Sequence, residues 1–203
     1  MTTRPTSAPS PWSGVELLDR AIAYTRGSLA LVTVDLMSAP TPCADWDLRA
    51  LLTHMDDSLA SLHEAGSVRR VRVDVSPDAP DDIVVSLRAH ACQLLADWTE
   101  DWTRAGDRGA ASRDVVVDGR PVTAPVLACA GALEVVVHGW DVAVSCGVPR
   151  PIPDDLAAAL LRLAPVLVTD ADRPARFGPE LTAPPGASSG ERLLAFLGRE
   201  PRP

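Results

Sequence analysis

One stretch constrains this chain more than any other, residues 124–147, APVLACAGALEVVVHGWDVAVSCG. It reads as a single long helix that is apolar almost all the way round. Besides Cys129 and Cys146, its only ionisable side chains are Glu134, His138 and Asp141. Steps of four and three place those three on one stripe, one above the next. A surface helix carries an apolar stripe on a polar cylinder; here the pattern is inverted. Such a helix belongs at the centre of a domain, with its polar stripe facing an internal site. Buried carboxylate and imidazole are unfavourable unless paired, hydrogen-bonded or bound to a metal. An E-x-x-x-H pair on one helical face puts two good ligands within reach of one ion. The rest of the chain must then supply a third.

The remaining composition narrows the class. At 203 residues, 46% hydrophobic and 23% charged, the chain suits one globular domain with a substantial core. A net charge of −8 argues against a nucleic-acid surface. Lys is absent, which excludes Schiff-base chemistry. Cys43, Cys92, Cys129 and Cys146 show no C-x-x-C spacing and read as reduced thiols of a cytoplasmic protein. Residues 1–11 form a polar, Pro-rich tail without the apolar core of a signal peptide. No uninterrupted apolar run approaches the ~20 residues of a membrane-spanning helix. The expected setting is soluble, with neither nucleic acid nor membrane as partner; the oligomeric state stays open, a homodimer included.

Helical periodicity predicts a first helix over 12–37, with Gly27 as its weak point, then a break at the prolines of Ala39-Pro-Thr-Pro. Asp45 or Asp47 caps a second helix that ends near Glu64, carrying His54 at the border of its apolar face. Residues 68–75 read as an extended stretch or loop. A third helix over 82–105 stacks Trp98 and Trp102 one turn apart, and 112–122 is a hairpin with Asp118-Gly119 at its turn. The apolar stretch is the fourth helix. Beyond Pro149 come a short helix over 153–168, a Pro/Gly-rich loop and a last helical turn over 191–197. The reading is therefore mainly all-α: a tail (1–11), an antiparallel four-helix bundle (12–148), and a C-terminal extension (149–203) packed on it.

His54 is the natural third ligand, although a lone histidine there also reads as a core-edge residue with one hydrogen bond. Glu134 and His138 together are a stronger signal, because two ionisable groups on an apolar helix need compensation; the alternative is a buried Glu–His hydrogen bond or a salt bridge with an Arg. His63 and His90 sit in more polar surroundings and read as surface residues. Asp141 either orients a ligand imidazole or caps the helix end. Two cysteines are set apart from the site. Cys129 is five residues from Glu134 and points away from the stripe, and Cys43 lies about two and a half turns before His54.

The motifs TPCADWDLRALLTH (41–54) and ALEVVVHGWDVA (132–143) resemble the DinB superfamily. Within it they are similar to the N-terminal domain of mycothiol-dependent maleylpyruvate isomerase and its short actinobacterial metal-binding relatives. The resemblance implies a DinB-like bundle and a divalent metal held by His54, Glu134 and His138. It also implies mycothiol, a small thiol, as cosubstrate. The tail motifs RPARFGPE and ERLLAFLGR resemble the short relatives too, but are briefer than the isomerase's C-terminal domain.

Three ligands leave at least one open position, and a metal lowers the pKa of a thiol bound there. The leading reading is a metal-dependent thiol S-transferase or cis–trans isomerase acting on a small electrophile. Arg173 and Arg176 are candidates to bind its carboxylate. A hydrolase with Asp141 as base, or a catalytically silent metal- or ligand-binding bundle, are the alternatives. Zinc suits the ligand set best, with nickel or iron also compatible.

Overall fold

The computed structural model describes residues 12–43, 45–67, 70–71, 82–110, 114–117, 120–173 and 176–201. Its organising element is α4 (Ala124–Ser145), which carries Pro125 in its first turn and is buried from Gly131 to Ala143 except at Glu134. α1 (Gly14–Leu29) lies along it, α2 (Leu48–Ser67) packs on both α4 and α3 (Ile83–Ala110), and α3 closes onto α1. These four helices are the expected bundle. By length and composition α4 could cross a bilayer (mean hydropathy 1.5), which counting uninterrupted apolar runs does not reveal. In the fold, however, 72% of that window is buried inside the protein.

Local chemistry sets the helix ends. Ser13 and Glu16 form a reciprocal capping box at the start of α1 (2.6 and 3.3 Å). α1 stops at Leu29 rather than near Met37, because Val32, Thr33 and Val34 form a β-branched run, and a short 3-10 turn, Val34–Leu36, follows instead. Gly27 stays inside the helix, where the Arg150 guanidinium occupies the place of a side chain. Asp47 rather than Asp45 caps α2, its Oδ1 accepting from the Ala50 amide at 2.8 Å. α3 continues through Gly106 to Ala110. Trp98 is buried and donates to the Leu62 carbonyl (3.2 Å); the Trp102 side chain lies outside the described residues.

The hairpin is β2 (Asp114–Val117) antiparallel to β3 (Arg120–Thr123), with Val115 opposite Val122. β1 (Arg70–Val71) adds a parallel edge on β2. The hairpin's turn residues and the tail 1–11 lie outside the described set, as does most of the 68–75 stretch. α5 (Asp154–Leu167) packs on α4 and α1, and α6 (Ser189–Phe196), with its own Ser188–Glu191 capping box, packs on α5.

Small residues allow α1 and α4 to approach closely. A Cβ on Gly139 would fall 2.3 Å from Thr25 Oγ1, whose hydroxyl donates to the Val135 carbonyl at 2.8 Å. Gly139 directly follows His138, so this contact sets how far the stripe stands from α1. Gly139→Ala is expected to destabilise the protein by about 1–3 kcal/mol through overpacking. Denaturant titration checks it, and a variant as stable as the parent contradicts the packing account.

Candidate metal centre

The polar stripe of α4 meets α2 at one point. Glu134 Oε1 lies 2.7 Å from His54 Nε2 and 3.1 Å from His138 Nε2. The ligand atoms of the three residues all fall within 4.8 Å of one another. His138 is buried, while His54 and Glu134 are half-buried, so the cluster opens on the α2 side. The two imidazoles meet edge to face at 5.1 Å, and Trp46 lies 4.8 Å from the His54 ring.

The donor set fits a divalent cation. One carboxylate oxygen is shared by two imidazole nitrogens, and positive charge among the three stabilises such a triangle. In the metal-free protein a proton supplies it. Burial would raise the Glu134 pKa, but the charges of His138 and His54 and their hydrogen bonds hold it well below the usual carboxylate range. For His138, burial lowers the pKa, and Glu134 and Asp141 more than reverse this, placing it well above the ordinary imidazole value. A divalent ion at the same point satisfies all three groups without those protons.

A second layer orients His138. Asp141 has no exposed surface and accepts at Oδ2 from the other ring nitrogen, Nδ1, at 3.0 Å. That bond fixes the ring so that Nε2 faces Glu134. Arg199 completes the layer, donating from Nε to Asp141 Oδ1 (3.3 Å) and from Nη2 to Oδ2 (3.0 Å). Burial would raise the Asp141 pKa, but the His138 hydrogen bond and the Arg199 charge hold it low. Asp141 is therefore an engaged carboxylate at neutral pH, placed to orient a ligand.

Arg199 reaches this point through a helix stop. Gly198 follows α6 with φ +75°, and the amides of Gly198 and Arg199 bond back to Ala195 (3.0 Å) and Leu194 (2.9 Å). Gly198 also touches the Gly178 backbone too closely for a Cβ. Arg173 and Arg176, the sequence-based candidates for an anion, make other contacts. Arg173 donates to the carbonyls of Gly178 and Phe196, tying the loop to α6, and Arg176 is exposed, 3.8 Å from Asp172. The sequence contains 19 arginines and no pattern that singles out Arg199. The one available signal was the need of a buried Asp141 for a cation.

Cys43 was expected to stand clear of the site; the structure brings it in. Its Sγ lies 3.3 Å from Asp141 Oδ2, 3.2 Å from Arg199 Nη2 and 3.8 Å from His138 Nδ1. The reason is the fold of the preceding loop. The Thr41 hydroxyl accepts from the Cys43 amide (3.1 Å), the Leu48 amide bonds back to Ala39 (2.9 Å), and Asp45 adopts φ 67°. Counting turns along α2 does not apply to a segment that doubles back. The two other histidines pair with carboxylates, His63 with Asp97 (3.0 Å) and His90 with Asp56 (2.7 Å).

A family model described as the mycothiol maleylpyruvate isomerase N-terminal domain matches residues 18–143. Uncharacterised proteins from two strains of Mycobacterium tuberculosis, CDC 1551 / Oshkosh and H37Rv, are each 28% identical over 177 residues, covering 86% of this chain and 91% of theirs. Among solved structures, a mycothiol-dependent maleylpyruvate isomerase aligns with a TM-score of 0.54 at 18% identity, over 73% of this chain and 66% of that one. The last likeness shows a shared all-α, DinB-like fold.

Two outcomes are expected of the centre. First, purified protein should carry about one divalent ion per chain by elemental analysis. His54→Ala, Glu134→Ala or His138→Ala should each remove most of it, and Arg199→Gln should weaken affinity about 10–100-fold; full occupancy in all three ligand variants would refute the site. Second, His138 in the metal-free protein has a raised pKa and so holds a proton at pH 7, which a ligand imidazole must lose. Loading should therefore release protons and tighten as pH rises toward the His138 pKa. Calorimetry in buffers of different ionisation enthalpy measures this, and a buffer-independent enthalpy would contradict it.

Proposed function

The chain belongs to the family of the mycothiol maleylpyruvate isomerase N-terminal domain, and from that premise we propose that it is a metal-dependent enzyme of small-thiol chemistry. Its reaction is S-transfer to, or cis–trans isomerisation of, a small electrophile, with mycothiol or a closely similar thiol as cosubstrate. The observation that carries this reading is the single Glu134 oxygen placed 2.7 and 3.1 Å from the Nε2 atoms of His54 and His138. These three residues are the proposed ligands, and zinc is the ion we favour over nickel or iron. When bound, such an ion supplies Lewis acidity at the position three protein ligands leave open, lowering the pKa of a thiol there.

The chain's own groups do the rest. Asp141 and Arg199 hold the His138 ring in one tautomer. Trp46 flanks His54 and limits approach on that side. A thiolate sulfur that adds to an electron-poor alkene carbon turns the double bond into a single bond free to rotate. Expulsion of the same thiolate then restores the alkene in the other geometry. If the adduct is protonated instead, the outcome is transfer. Hydrolysis would need a base facing the open position. Asp141 was the candidate, but it is fully buried with both oxygens hydrogen-bonded, which favours the thiol reading. We place the protein in the cytoplasm, in keeping with four cysteines that are all free.

Cobalt substitution makes the proposal optical. Because Cys43 lies against His138 Nδ1, the test uses Cys43→Ser protein. Adding mycothiol to the cobalt form should produce a strong near-ultraviolet charge-transfer band. If the spectrum stays unchanged while activated esters are hydrolysed, the thiol reading gives way to a hydrolase.

A further inference from the structure

Among the described residues His138 belongs to two three-donor groups. On its Nε2 side stand Glu134 and His54; on its Nδ1 side stand Asp141 Oδ2 at 3.0 Å and Cys43 Sγ at 3.8 Å. In the second group, as in the first, the ligand atoms all fall within 4.8 Å of one another. Thiolate, imidazole and carboxylate together suit zinc, cobalt or cadmium, and the sulfur makes this the softer of the two sets. Donor chemistry alone does not explain why such an ion would choose His54 and Glu134 instead.

The groups differ in a resident cation. Arg199 Nη2 lies 3.0 Å from Asp141 Oδ2 and 3.2 Å from Cys43 Sγ, while Nε lies 3.3 Å from Asp141 Oδ1. One guanidinium thus contacts two of the three donors. It is held in place, because Arg199 is only 7% exposed and donates from Nη1 to the Leu197 carbonyl at 3.3 Å. A divalent ion on Sγ and Oδ2 would meet this fixed positive charge at close range, where little water screens it. The first group has no such neighbour: among the described residues no Arg forms an ion pair with Glu134.

The two groups also compete for one ring. A neutral imidazole carries one N–H and one lone pair. With Arg199 in place, Asp141 takes the Nδ1–H, and the Nε2 lone pair is left for the side of His54 and Glu134. Without the guanidinium, the other tautomer turns the lone pair toward Cys43 and Asp141, and Nε2–H toward Glu134.

We propose that Arg199 selects which of two mutually exclusive sites holds the metal. Its guanidinium closes a latent site of Cys43, His138 and Asp141 to divalent ions and so commits His138 Nε2 to the site with His54 and Glu134. This rests on the metal reading proposed above and is independent of the thiol reading.

The test is the near-ultraviolet spectrum of cobalt-loaded protein, prepared without added thiol, for wild type, Arg199→Gln and Arg199→Gln/Cys43→Ser. Thiolate bound to cobalt adds a charge-transfer band in this region. At saturating cobalt the wild type should hold about one ion per chain and show no such band. Arg199→Gln should gain the band, and the double variant should lose it again. Cys92, Cys129 and Cys146 remain in the double variant, so that loss assigns the sulfur to Cys43. Arg199→Met, which keeps an apolar stem without the charge, replaces the glutamine variant if that one loses the parent's circular dichroism. A thiolate band in wild type would overturn the proposal whether or not either variant folds. So would folded Arg199 variants that bind cobalt without the band, or a band that survives Cys43→Ser. Cobalt uptake by wild type separates the two failures: no uptake refutes the metal reading and this proposal with it, whereas uptake with the wrong spectra refutes this proposal alone.

Discussion

The structure depends on a carboxylate that cannot stand alone. Glu134 sits two-thirds covered in the most apolar helix of the chain, and its Oε1 is shared by His54 and His138. Removing a carboxylate from water costs several kcal/mol unless positive charge meets it. Among the described residues no Arg forms an ion pair with Glu134; the guanidinium of Arg199 is bound to Asp141 on the other side of His138. A protonated His138, or a cation held jointly by the three residues, meets that charge. Either way α2 and α4 are fixed at one separation. The close approach of α1 at Gly139, where Thr25 takes the space a Cβ would need, fixes the third side.

Support for the site comes from segments remote in sequence. Arg199 lies well outside residues 18–143, the part that matches the family model, yet it is the partner of Asp141. The C-terminal extension is thus joined to the bundle by a buried ion pair as well as by the packing of α5 on α4 and α1. The order of contacts is Arg199 to Asp141, Asp141 to His138 Nδ1, and His138 Nε2 to Glu134. Each member orients the next. Cys43 touches the middle of this chain of contacts. Its thiol is therefore a polar neighbour of the ligand set.

This arrangement also bears on chemistry. Orienting groups gather on the Nδ1 side of His138, where Asp141, Arg199 and Cys43 close the structure. The Nε2 side faces Glu134 and His54, and both of these residues keep partial exposure. Trp46 also lies on that side. A low-dielectric surround strengthens each electrostatic contact within it.

Much of this was legible in the sequence, for reasons of periodicity. Helical spacing showed that α4 is apolar all round and must lie at the centre, and steps of four and three put Glu134, His138 and Asp141 on one stripe. His54 stood at the edge of the apolar face of α2, where a side chain can look inward. These are local properties, set within a few turns of one helix. Arg199 and Cys43 were not legible, because their positions follow from a left-handed helix stop at Gly198 and a doubled-back loop before α2. Such bends redirect a side chain without leaving a period in the sequence. The partners of Arg173 were likewise decided by tertiary contact, since only the fold shows it bound to the carbonyls of Gly178 and Phe196. The sequence by itself determined which groups needed a partner; the packing of distant segments decided which partner each one received.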